Sequence, residues 1–264
     1  MRKETFVTVL MSMYNTPEEQ LRKAIESILN QTFTNFEFLI INDATKDNGV
    51  EIVESYKDSR IKLEHNEQNL GLERSLNRGL ILAKSDYIIR MDTDDIAYPN
   101  RIEKQMGFAL EHPEYSIISS RADYFDEDGV YGTSKRTGEV QKNDFLFGTP
   151  FIHPTICLKR NDVINSGGYP LFSRCEDYAM QMNMYANGYK GYVMDDVLLK
   201  YRLDSNGYKK KKFKDRFNEI KVKEIYLKRL GFIWYKRYPY LIKPLIAGIM
   251  PTIIMKKYHQ KKLN

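Results

Sequence analysis

Residues Ser85 to Ile96 read Ser-Asp-Tyr-Ile-Ile-Arg-Met-Asp-Thr-Asp-Asp-Ile, and the rest of the predicted fold is arranged around them. Tyr87 to Met91 is a short, mostly apolar run that follows the turn residues Ser85 and Asp86, a pattern typical of a buried strand. Three carboxylates follow this run within four positions. Because ligands of open α/β sheets bind beyond the carboxyl ends of the strands, the sequence predicts a binding site here.

The three carboxylates, Asp92, Asp94 and Asp95, repel one another unless water or a cation neutralises them. Acids one residue apart at a strand end can both direct oxygens at one hard cation, and Mg²⁺ or Mn²⁺ prefers such ligands. A solvated acidic loop is the alternative interpretation. The surrounding sequence has to decide between the two.

The chain before this strand alternates between strands and helices. Apolar strands are predicted at Phe6 to Met11, Phe36 to Ile41 and Ile61 to Glu64, and a helix is predicted after each of them. Asn69 is predicted to cap the third of these helices. The alternation predicts a Rossmann-like α/β fold with a mostly parallel central sheet, right-handed crossovers and flanking helices.

Polar residues stand at the ends of the first two strands as well. Ser12 and Tyr14 follow the first strand, and Asp43 follows the second. Asp43 can accept hydrogen bonds from the N–H groups of a base, and Tyr14 offers an aromatic face for stacking. Each residue alone is more often a turn former or a core aromatic, but their recurrence at strand ends favours a nucleotide site.

Two common nucleotide motifs are absent from the sequence. No Gly-x-Gly-x-x-Gly follows the first strand, and no Gly-x₄-Gly-Lys-Ser/Thr occurs anywhere in the chain. A dinucleotide oxidoreductase and a P-loop nucleotidase therefore lose their main support.

The two cysteines, Cys157 and Cys175, indicate neither a disulfide framework nor a zinc site, and the N-terminus has no apolar signal region. We therefore expect a cytoplasmic protein.

The net charge of +6 conceals an asymmetry between the body and the C-terminal tail. Residues 205–264 hold 17 of the 41 basic residues and three of the 35 acidic ones, so the tail carries +14 and residues 1–204 carry −8. A basic tail indicates an anionic partner, either nucleic acid or a membrane surface. No nucleic-acid-binding motif accompanies it, so we expect a membrane and no nucleic acid.

The tail is predicted to be a basic and apolar helical segment from Tyr208 onward. Its most apolar part, Leu241 to Met255, is shorter than the ~20 residues that a spanning helix needs. We expect this part to lie in the interface of an anionic membrane, on the inner face of the cell membrane. A core helix docked on the rest of the protein is the alternative.

Short motifs recur in order along residues 6–203. They are Met11-Ser12-Met13-Tyr14-Asn15, Ile28-Leu29-Asn30-Gln31-Thr32, Ile41-Asn42-Asp43, Asn69-Leu70-Gly71 with Asn77, Met91-Asp92-Thr93-Asp94-Asp95, His153-Pro154-Thr155, Gly167-Gly168-Tyr169 and Glu176-Asp177-Tyr178. Each motif alone is weak, but the ordered set resembles family 2 glycosyltransferases of the GT-A fold. It is similar to the bacterial exopolysaccharide enzymes typified by amylovoran synthesis.

The resemblance implies that a UDP-sugar binds at these strand ends. Ser12, Tyr14 and Asp43 would line the uracil pocket. Asp92 and Asp94 would form the family's Asp-x-Asp, which contacts the ribose and, through Mn²⁺ or Mg²⁺, the diphosphate. Asp95 can replace one of the two, since some relatives use the later pair of acids.

The resemblance also implies a catalytic base. Asp177 corresponds to it, with Glu176 next in line, while His153 is as consistent with a structural role as with a catalytic one. Many relatives carry Tyr-Arg-x-His after the last strand, whereas this chain has Asp204 where the histidine stands. Asp204 either serves as an oxygen ligand or leaves the metal with fewer protein ligands. Arg202 is consistent with a phosphate contact and with a structural salt bridge.

The predicted organisation has three parts. Residues 1–99 bind the UDP-sugar, residues 100–204 supply the acceptor site and the base, and residues 205–264 hold the enzyme at the membrane. The expected activity is inverting transfer of a hexose or N-acetylhexosamine to a saccharide acceptor, which we expect to be lipid-linked. Two alternatives are a non-catalytic nucleotide-sugar-binding protein and an aspartate-nucleophile phosphatase. The phosphatase pattern needs its acids on the first strand, whereas here they follow the fourth.

Overall fold

A computed structural model describes residues 6–203 and 213–249. The strands of this part are β1 (Val7–Met13), β2 (Phe36–Asn42), β3 (Ile61–His65), β4 (Tyr87–Met91), β5 (Ile96–Ala97), β6 (Tyr115–Asp126), β7 (Gly129–Thr133), β8 (Gly138–Glu139), β9 (Cys157–Lys159) and β10 (Lys190–Arg202). The α-helices are α1 (Glu18–Leu29), α2 (Gly49–Ser55), α3 (Leu72–Leu82), α4 (Arg101–Glu111), α5 (Arg160–Asn165), α6 (Glu176–Ala186), α7 (Phe213–Arg229) and α8 (Trp234–Ile249).

The strands form one sheet in the order β3-β2-β1-β4-β9-β6-β10-β5, with β7 paired to β6 and β8 paired to β10. Strands β1 to β4 are parallel neighbours of one another, and β6 and β10 are a parallel pair. β9 pairs antiparallel with both β4 and β6, so β6 and β10 run in the same direction as β1 to β4. The predicted α/β fold with a mostly parallel sheet is confirmed.

Each face of the sheet is covered by helices. Ile88 of β4 packs into one core with residues of α3, α6 and α7, while Ile89 and Met91 pack into the other core with residues of α1, α2 and α4. Successive strand residues point to opposite faces, so Arg90 lies on the same face as Ile88. A charged side chain on the α3 and α6 face of a central strand must find partners there.

The tail begins as part of the folded body. Val222, Tyr226 and Leu227 of α7 are buried in the same core cluster as residues of α6, and α8 packs back against α7. Asp204 and the last part of the predicted membrane segment, residues 250–264, lie outside the described residues. Within the described ranges, no helix combines the length and the apolar character needed to cross a membrane.

Candidate active site

A cavity of about 630 Å³ opens beyond the carboxyl end of β4. Its lining includes the predicted metal ligands Asp92 and Asp94 and the predicted base Asp177. The first two residues follow β4, and Asp177 lies in the first turn of α6. The fold therefore brings a carboxylate pair at a strand end and an acid at a helix start into one cavity.

The other candidates for the metal site and for catalysis divide into three groups. Glu176, His153 and Arg202 line the same cavity. Asp95 is completely buried. Asp204 is outside the described residues, so its proposed part in the metal site stays a prediction.

The three acids after β4 have a geometry that suits a divalent cation. One carboxylate oxygen from each of Asp92, Asp94 and Asp95 lies within 4.8 Å of the others. Asp95 Oδ1 accepts the backbone N–H of Arg202 at 2.8 Å, while its buried Oδ2 has no hydrogen-bond partner among the described residues. A buried oxygen without a partner is costly, and hard oxygen donors at this spacing fit Mg²⁺ or Mn²⁺.

The charge state of Asp95 reflects the same crowding. Burial raises the pKa of Asp95 well above its usual value, and the neighbouring carboxylates of Asp92 and Asp94 raise it further. The protein alone therefore favours a neutral Asp95. A bound divalent cation would favour the ionised form, because a cation next to a carboxylate stabilises its negative charge.

Arg90 lies beside this cluster and is only 2% exposed. Its Nη1 forms an ion pair with Asp92 Oδ1, and its Nε has no hydrogen-bond partner in the described part of the chain. Removing one member of a buried ion pair is strongly destabilising, because the other charge is left without compensation. Arg90 therefore holds Asp92 in place and neutralises part of the acidic cluster.

The lining of the same cavity also includes two neighbouring acids, Glu176 and Asp177, at the start of α6. The helix dipole favours negative charge at this end of a helix. Burial, together with the charge of Asp177, raises the pKa of Glu176 to about 7. Arg174, just before the helix, has φ +66°, a strained conformation for a non-glycine residue that is typical of functional sites.

Three of the sequence motifs meet in one buried network beside the cavity. His153 Nε2 lies 3.0 Å from the hydroxyl of Tyr169, and the side chain of Asn77 bonds both the N–H and the C=O of Tyr169 at 2.8 Å. Gly168 is required between them, because a Cβ there would lie 2.4 Å from Asn77 Oδ1. Burial and the charge of Arg90 lower the pKa of His153 well below its usual value. These contacts favour the structural interpretation of His153.

Arg202 also has partners within the protein. Its Nε donates to the backbone carbonyl of Asp94 at 3.2 Å, and its guanidinium lies 4.5 Å from the centre of the Phe125 ring. These contacts hold the end of β10 against the acidic cluster. They place the guanidinium beside the predicted metal ligands.

Ser12, Tyr14 and Asp43 do not line this cavity. They lie side by side at the ends of β1 and β2, where the N–H of Asp43 donates to the carbonyl of Met13 at 2.9 Å. Tyr14 is exposed, so its ring is accessible for stacking. Asn15 beside Tyr14, like Ala44 beside Asp43, has a positive φ. The uracil pocket that the resemblance implies at this point stays a prediction.

The carboxylate of Asp43 stabilises the loop between β3 and α3 through hydrogen bonds. It is 2% exposed, and its Oδ1 accepts hydrogen bonds from Asn66 Nδ2 at 2.7 Å and from the N–H of Leu70 at 2.8 Å. Its Oδ2 accepts from Asn69 Nδ2 at 3.0 Å and from the N–H of Gly71 at 2.9 Å. A base N–H that donates to Asp43 would have to share the carboxylate oxygens with these four donors or displace one of them.

The prediction that Asn69 caps α3 is wrong. Gly71 precedes the helix and makes no side-chain cap bond, whereas the side chain of Asn69 donates to Asp43. The physical reason is that α3 begins at Leu72, so Gly71 and not Asn69 occupies the cap position. Asn69 lies two residues earlier, where its Nδ2 donates to the buried carboxylate of Asp43.

We expect Asp43→Ala to lower the free energy of unfolding by about 2–4 kcal/mol, because it leaves four donors without their charged acceptor. Urea denaturation followed by circular dichroism measures this change. Asp47→Ala is the matched control, since the exposed Asp47 also accepts bonds within a loop, and it should cost less than about 1 kcal/mol. A variant with unchanged stability and lost UDP affinity would instead make Asp43 a base-binding residue.

The charged residues of the cavity that were not anticipated from the sequence are Arg90, Arg174, Arg216 and Glu219. Arg90 had a signal, because a charged residue inside an apolar strand and next to an acidic cluster requires a partner. Arg216 and Glu219 belong to α7, and nothing separates them from the other charged residues of the tail. Only the packing of α7 on α6 places them at the cavity.

Two solved structures show which fold this is. S. aureus TarS in complex with UDP-GlcNAc matches with a TM-score of 0.69 at 19% identity, covering 92% of this chain and 72% of that one. Mannosyltransferase PcManGT from Pyrobaculum calidifontis, in complex with GDP-Man and Mn²⁺, matches with a TM-score of 0.67 at 16% identity, covering 97% and 79%. The mixed sheet with its flanking helices is therefore the GT-A fold of glycosyltransferases.

Comparison of sequences narrows this class to one family. Residues 8–174 match the family described as Glycosyl transferase family 2. The chain is 34% identical to the Bacillus subtilis protein assigned as glycosyltransferase EpsE, over 97% of this chain and 94% of that protein. The chain belongs to glycosyltransferase family 2.

Two further relatives match along nearly their whole length. The amylovoran biosynthesis glycosyltransferase AmsE of Erwinia amylovora is 29% identical, over 97% of this chain and 98% of the relative. The Escherichia coli UDP-Gal:α-D-GlcNAc-diphosphoundecaprenol β-1,3-galactosyltransferase is also 29% identical, over 97% and 96%. The predicted family resemblance, including its likeness to the amylovoran enzymes, is confirmed.

Proposed function

We propose that this glycosyltransferase moves a hexose or an N-acetylhexosamine from a UDP-sugar to a lipid-linked saccharide during synthesis of a bacterial surface polysaccharide. The observation that carries the proposal is that Asp92, Asp94 and Asp177 line one and the same cavity. Inverting transfer needs a place for the donor diphosphate and a base for the acceptor hydroxyl at one point in space. The cavity has residues suited to both tasks.

Two similar proteins support a UDP-sugar as the donor. TarS is described in complex with UDP-GlcNAc, and the E. coli relative is named for UDP-Gal. We therefore assign a UDP-sugar to this chain and place it along residues 1–99, with the uracil near Tyr14. Residues 100–204 supply the wall that carries Asp177, which faces the acceptor.

The proposed reaction is a single displacement with inversion. The acceptor hydroxyl oxygen attacks the anomeric carbon of the donor sugar while the bond from that carbon to the diphosphate oxygen breaks. The hydroxyl proton passes to the carboxylate of Asp177, and UDP leaves with the electron pair of the broken bond. Arg90 keeps Asp92 oriented toward the donor during this step.

The acids Asp94 and Asp92, with Asp95 buried behind them, are the residues that would hold Mn²⁺ or Mg²⁺. A divalent cation at this point would supply positive charge next to the departing diphosphate. The complex of PcManGT with Mn²⁺ supports a metal in an enzyme of the same fold. The oxygen-only ligand set supports a hard cation rather than zinc.

A panel of UDP-sugars tests the proposal. Purified full-length protein with Mn²⁺ or Mg²⁺ should release UDP slowly from one or a few donors in the absence of acceptor, and chelation of the metal should stop the release. Protein that binds UDP-sugars but releases no UDP with any donor or any saccharide acceptor would contradict the assignment as an enzyme. That outcome would favour the non-catalytic binding protein.

We further propose that α8 rests on an anionic membrane at the inner face of the cell. Trp234, Tyr238 and Ile242 are exposed and lie one turn apart on one face of α8, and Trp234 is 71% exposed. Lys236 and Lys243 are exposed on the same helix. Interfacial helices combine aromatic and apolar residues on one face with basic residues that contact anionic headgroups.

Sedimentation with vesicles of phosphatidylglycerol and phosphatidylcholine tests this proposal. Wild-type protein should bind, and Trp234→Ser with Tyr238→Ser should weaken binding by about 10- to 100-fold, because two side chains no longer insert. Ile81→Ser is the matched control, since Ile81 is also 71% exposed but lies on α3. Equal binding by all three proteins would show that α8 does not contact the membrane.

A further inference from the structure

A second cavity, of about 330 Å³, adjoins the catalytic cavity. Four residues line both cavities, namely Tyr124, Gly148, Thr149 and Ile152, so the two share a boundary. Gly148 has φ +144°, and a Cβ there would meet only open space, so the boundary is open at this residue. Sites for small ligands occupy roughly 300–1,000 Å³, so the second cavity suits a small part of a longer ligand.

The position of the second cavity in the sheet separates it from the residues predicted to bind the nucleotide. Its lining comes from β6, from β10 and from the chain between these two strands. In the sheet, β4 and β9 stand between that pair and β1 and β2, the strands at which Ser12, Tyr14 and Asp43 lie. A ligand that extends from the catalytic cavity into the second cavity therefore extends away from the proposed position of the uracil.

The direction of this extension identifies the substrate that can reach the second cavity. A nucleotide-sugar ends at the sugar that is transferred, and in the proposed reaction the anomeric carbon of that sugar meets the hydroxyl that Asp177 deprotonates. The donor has no further unit beyond this point. The acceptor can have one, because the sugar that offers its hydroxyl is linked to another sugar in any oligosaccharide.

Phe147 gives the second cavity an accessible aromatic ring. It lines this cavity and not the catalytic one, and it is 63% exposed. Tyr240 of α8 meets it edge to face, with 5.4 Å between the ring centres, and this contact restricts its orientation. The C–H groups of a sugar form an apolar face that packs on an aromatic ring. An exposed ring at a polar cavity therefore suits a sugar.

The polar groups of the lining include donors as well as acceptors. Thr149 is an exposed residue with a hydroxyl, Lys135 is an exposed residue with an ammonium group, and Arg136 forms an ion pair with Asp144. Sugar hydroxyls both donate and accept hydrogen bonds, so they need such a mixture. An alkyl chain would instead remove water from these groups without replacing its hydrogen bonds, which is costly. The lining thus favours a sugar over a lipid chain.

We propose that the second cavity binds the sugar unit next to the accepting sugar, so that the acceptor is an oligosaccharide of at least two units. The accepting sugar lies beside Asp177, and the adjacent unit packs on Phe147 and forms hydrogen bonds with the polar lining. This inference rests on the proposed function and narrows its saccharide acceptor to one class. The enzyme accordingly extends an existing oligosaccharide and does not add the second sugar to a single one.

The test compares Phe147→Ser and Lys135→Gln with wild-type protein, and each variant has a matched control. Phe217→Ser removes the same ring from a residue that is 58% exposed but lines neither cavity, and Lys142→Gln removes the same charge from an exposed lysine outside both linings. Each full-length protein is saturated with UDP and titrated with lactose, cellobiose, maltose and diacetylchitobiose, and with glucose, galactose and N-acetylglucosamine. Saturation-transfer NMR measures the dissociation constants.

We expect wild-type protein to bind the best of these disaccharides about 10-fold more tightly than its constituent monosaccharides, because the second unit makes contacts of its own. Phe147→Ser should weaken binding of that disaccharide by about 10-fold, and Lys135→Gln should weaken it by about 3-fold. The affinities for monosaccharides and for UDP should stay within about twofold of wild type in every variant, and both controls should bind the disaccharide normally.

Two results would overturn the inference. Wild-type protein that binds no disaccharide more tightly than the monosaccharides would lack a second sugar site, and equal loss of both kinds of sugar in Phe147→Ser would make Phe147 a structural residue. Failure of the proposed function has a different signature, namely no UDP release by wild-type protein with any donor. The binding comparison needs no turnover, so it remains decisive for the second cavity in that case.

Discussion

Asp177→Asn is expected to lower the rate of sugar transfer by ~10²–10⁴-fold, which is the usual contribution of a positioned general base. The substitution keeps the shape of the side chain and its place at the start of α6, but it removes the ability to accept a proton. UDP affinity and its dependence on Mn²⁺ should stay within about twofold of wild type, because Asp177 belongs to α6 and not to the acidic cluster after β4. Single-turnover assays and calorimetric UDP titrations measure the two effects separately.

Glu176 is the informative comparison, because it is the neighbouring acid in the same cavity. Its pKa of about 7 means that it is only partly ionised at neutral pH. A base must be ionised to accept a proton, so a reaction dependent on Glu176 would slow as the pH falls through about 7. We expect Glu176→Gln to retain transfer within about tenfold of wild type, and its pH profile should keep the wild-type shape between pH 6 and pH 8.

The assignment of the base fails if Asp177→Asn transfers sugar at nearly the normal rate while Glu176→Gln is inactive. Loss of UDP binding in step with activity in Asp177→Asn would indicate a structural or metal-binding role for Asp177. Thermal unfolding of both variants tests whether misfolding causes either result. We expect unchanged melting temperatures, because neither substitution changes the volume of the side chain appreciably.

Asp94→Asn is expected to abolish the dependence of UDP affinity on Mn²⁺ and to lower transfer by about 10²–10³-fold, since a catalytic cation contributes several kcal/mol. Asp92 and Asp94 both line the cavity, whereas Asp95 is buried. Asp94→Asn therefore removes one of the two charged ligands that the cavity offers to a cation. Titration of UDP with and without Mn²⁺ measures the first effect directly.

Asp86→Asn is the matched control for this variant. Asp86 is an exposed acid just before β4, so its substitution removes the same charge at the other end of the same strand. It should leave metal dependence and turnover unchanged. Metal-dependent turnover near wild type in Asp94→Asn would refute the ligand assignment, and the metal would then have to be held by Asp95 or Asp204.

Patterns that repeat along the chain determined the class of fold. The buried strand Tyr87–Met91 and the acids after it could be predicted because a short apolar run and its polar ending are local properties of the sequence. α1 is another example, since its buried residues Leu21, Ala24, Ile25 and Ile28 recur at helical spacing. The order of such elements is enough to predict a parallel sheet whose polar strand ends share one edge.

The roles of individual polar residues needed the tertiary structure. Asn69 has the sequence position of a helix cap, yet its amide belongs to Asp43, which comes from a different strand. His153, Tyr169 and Asn77 are far apart along the chain and meet only because α3 and the segment before α6 pack on the same face of the sheet. A hydrogen bond between such residues leaves no periodic trace in the sequence.

The two ends of the cavity illustrate this division. From sequence alone, the acids after β4 were recognisable as a site, because like charges so close together require a neutralising partner wherever the chain folds. Arg216 was not recognisable, because one arginine among the 17 basic residues of the tail has nothing to distinguish it. Only the packing of α7 against α6 decides that this guanidinium, unlike that of an exposed neighbour, is taken out of water and directed into the cavity. Local charge density is carried by the sequence, whereas burial depends on which surfaces the folded chain brings into contact.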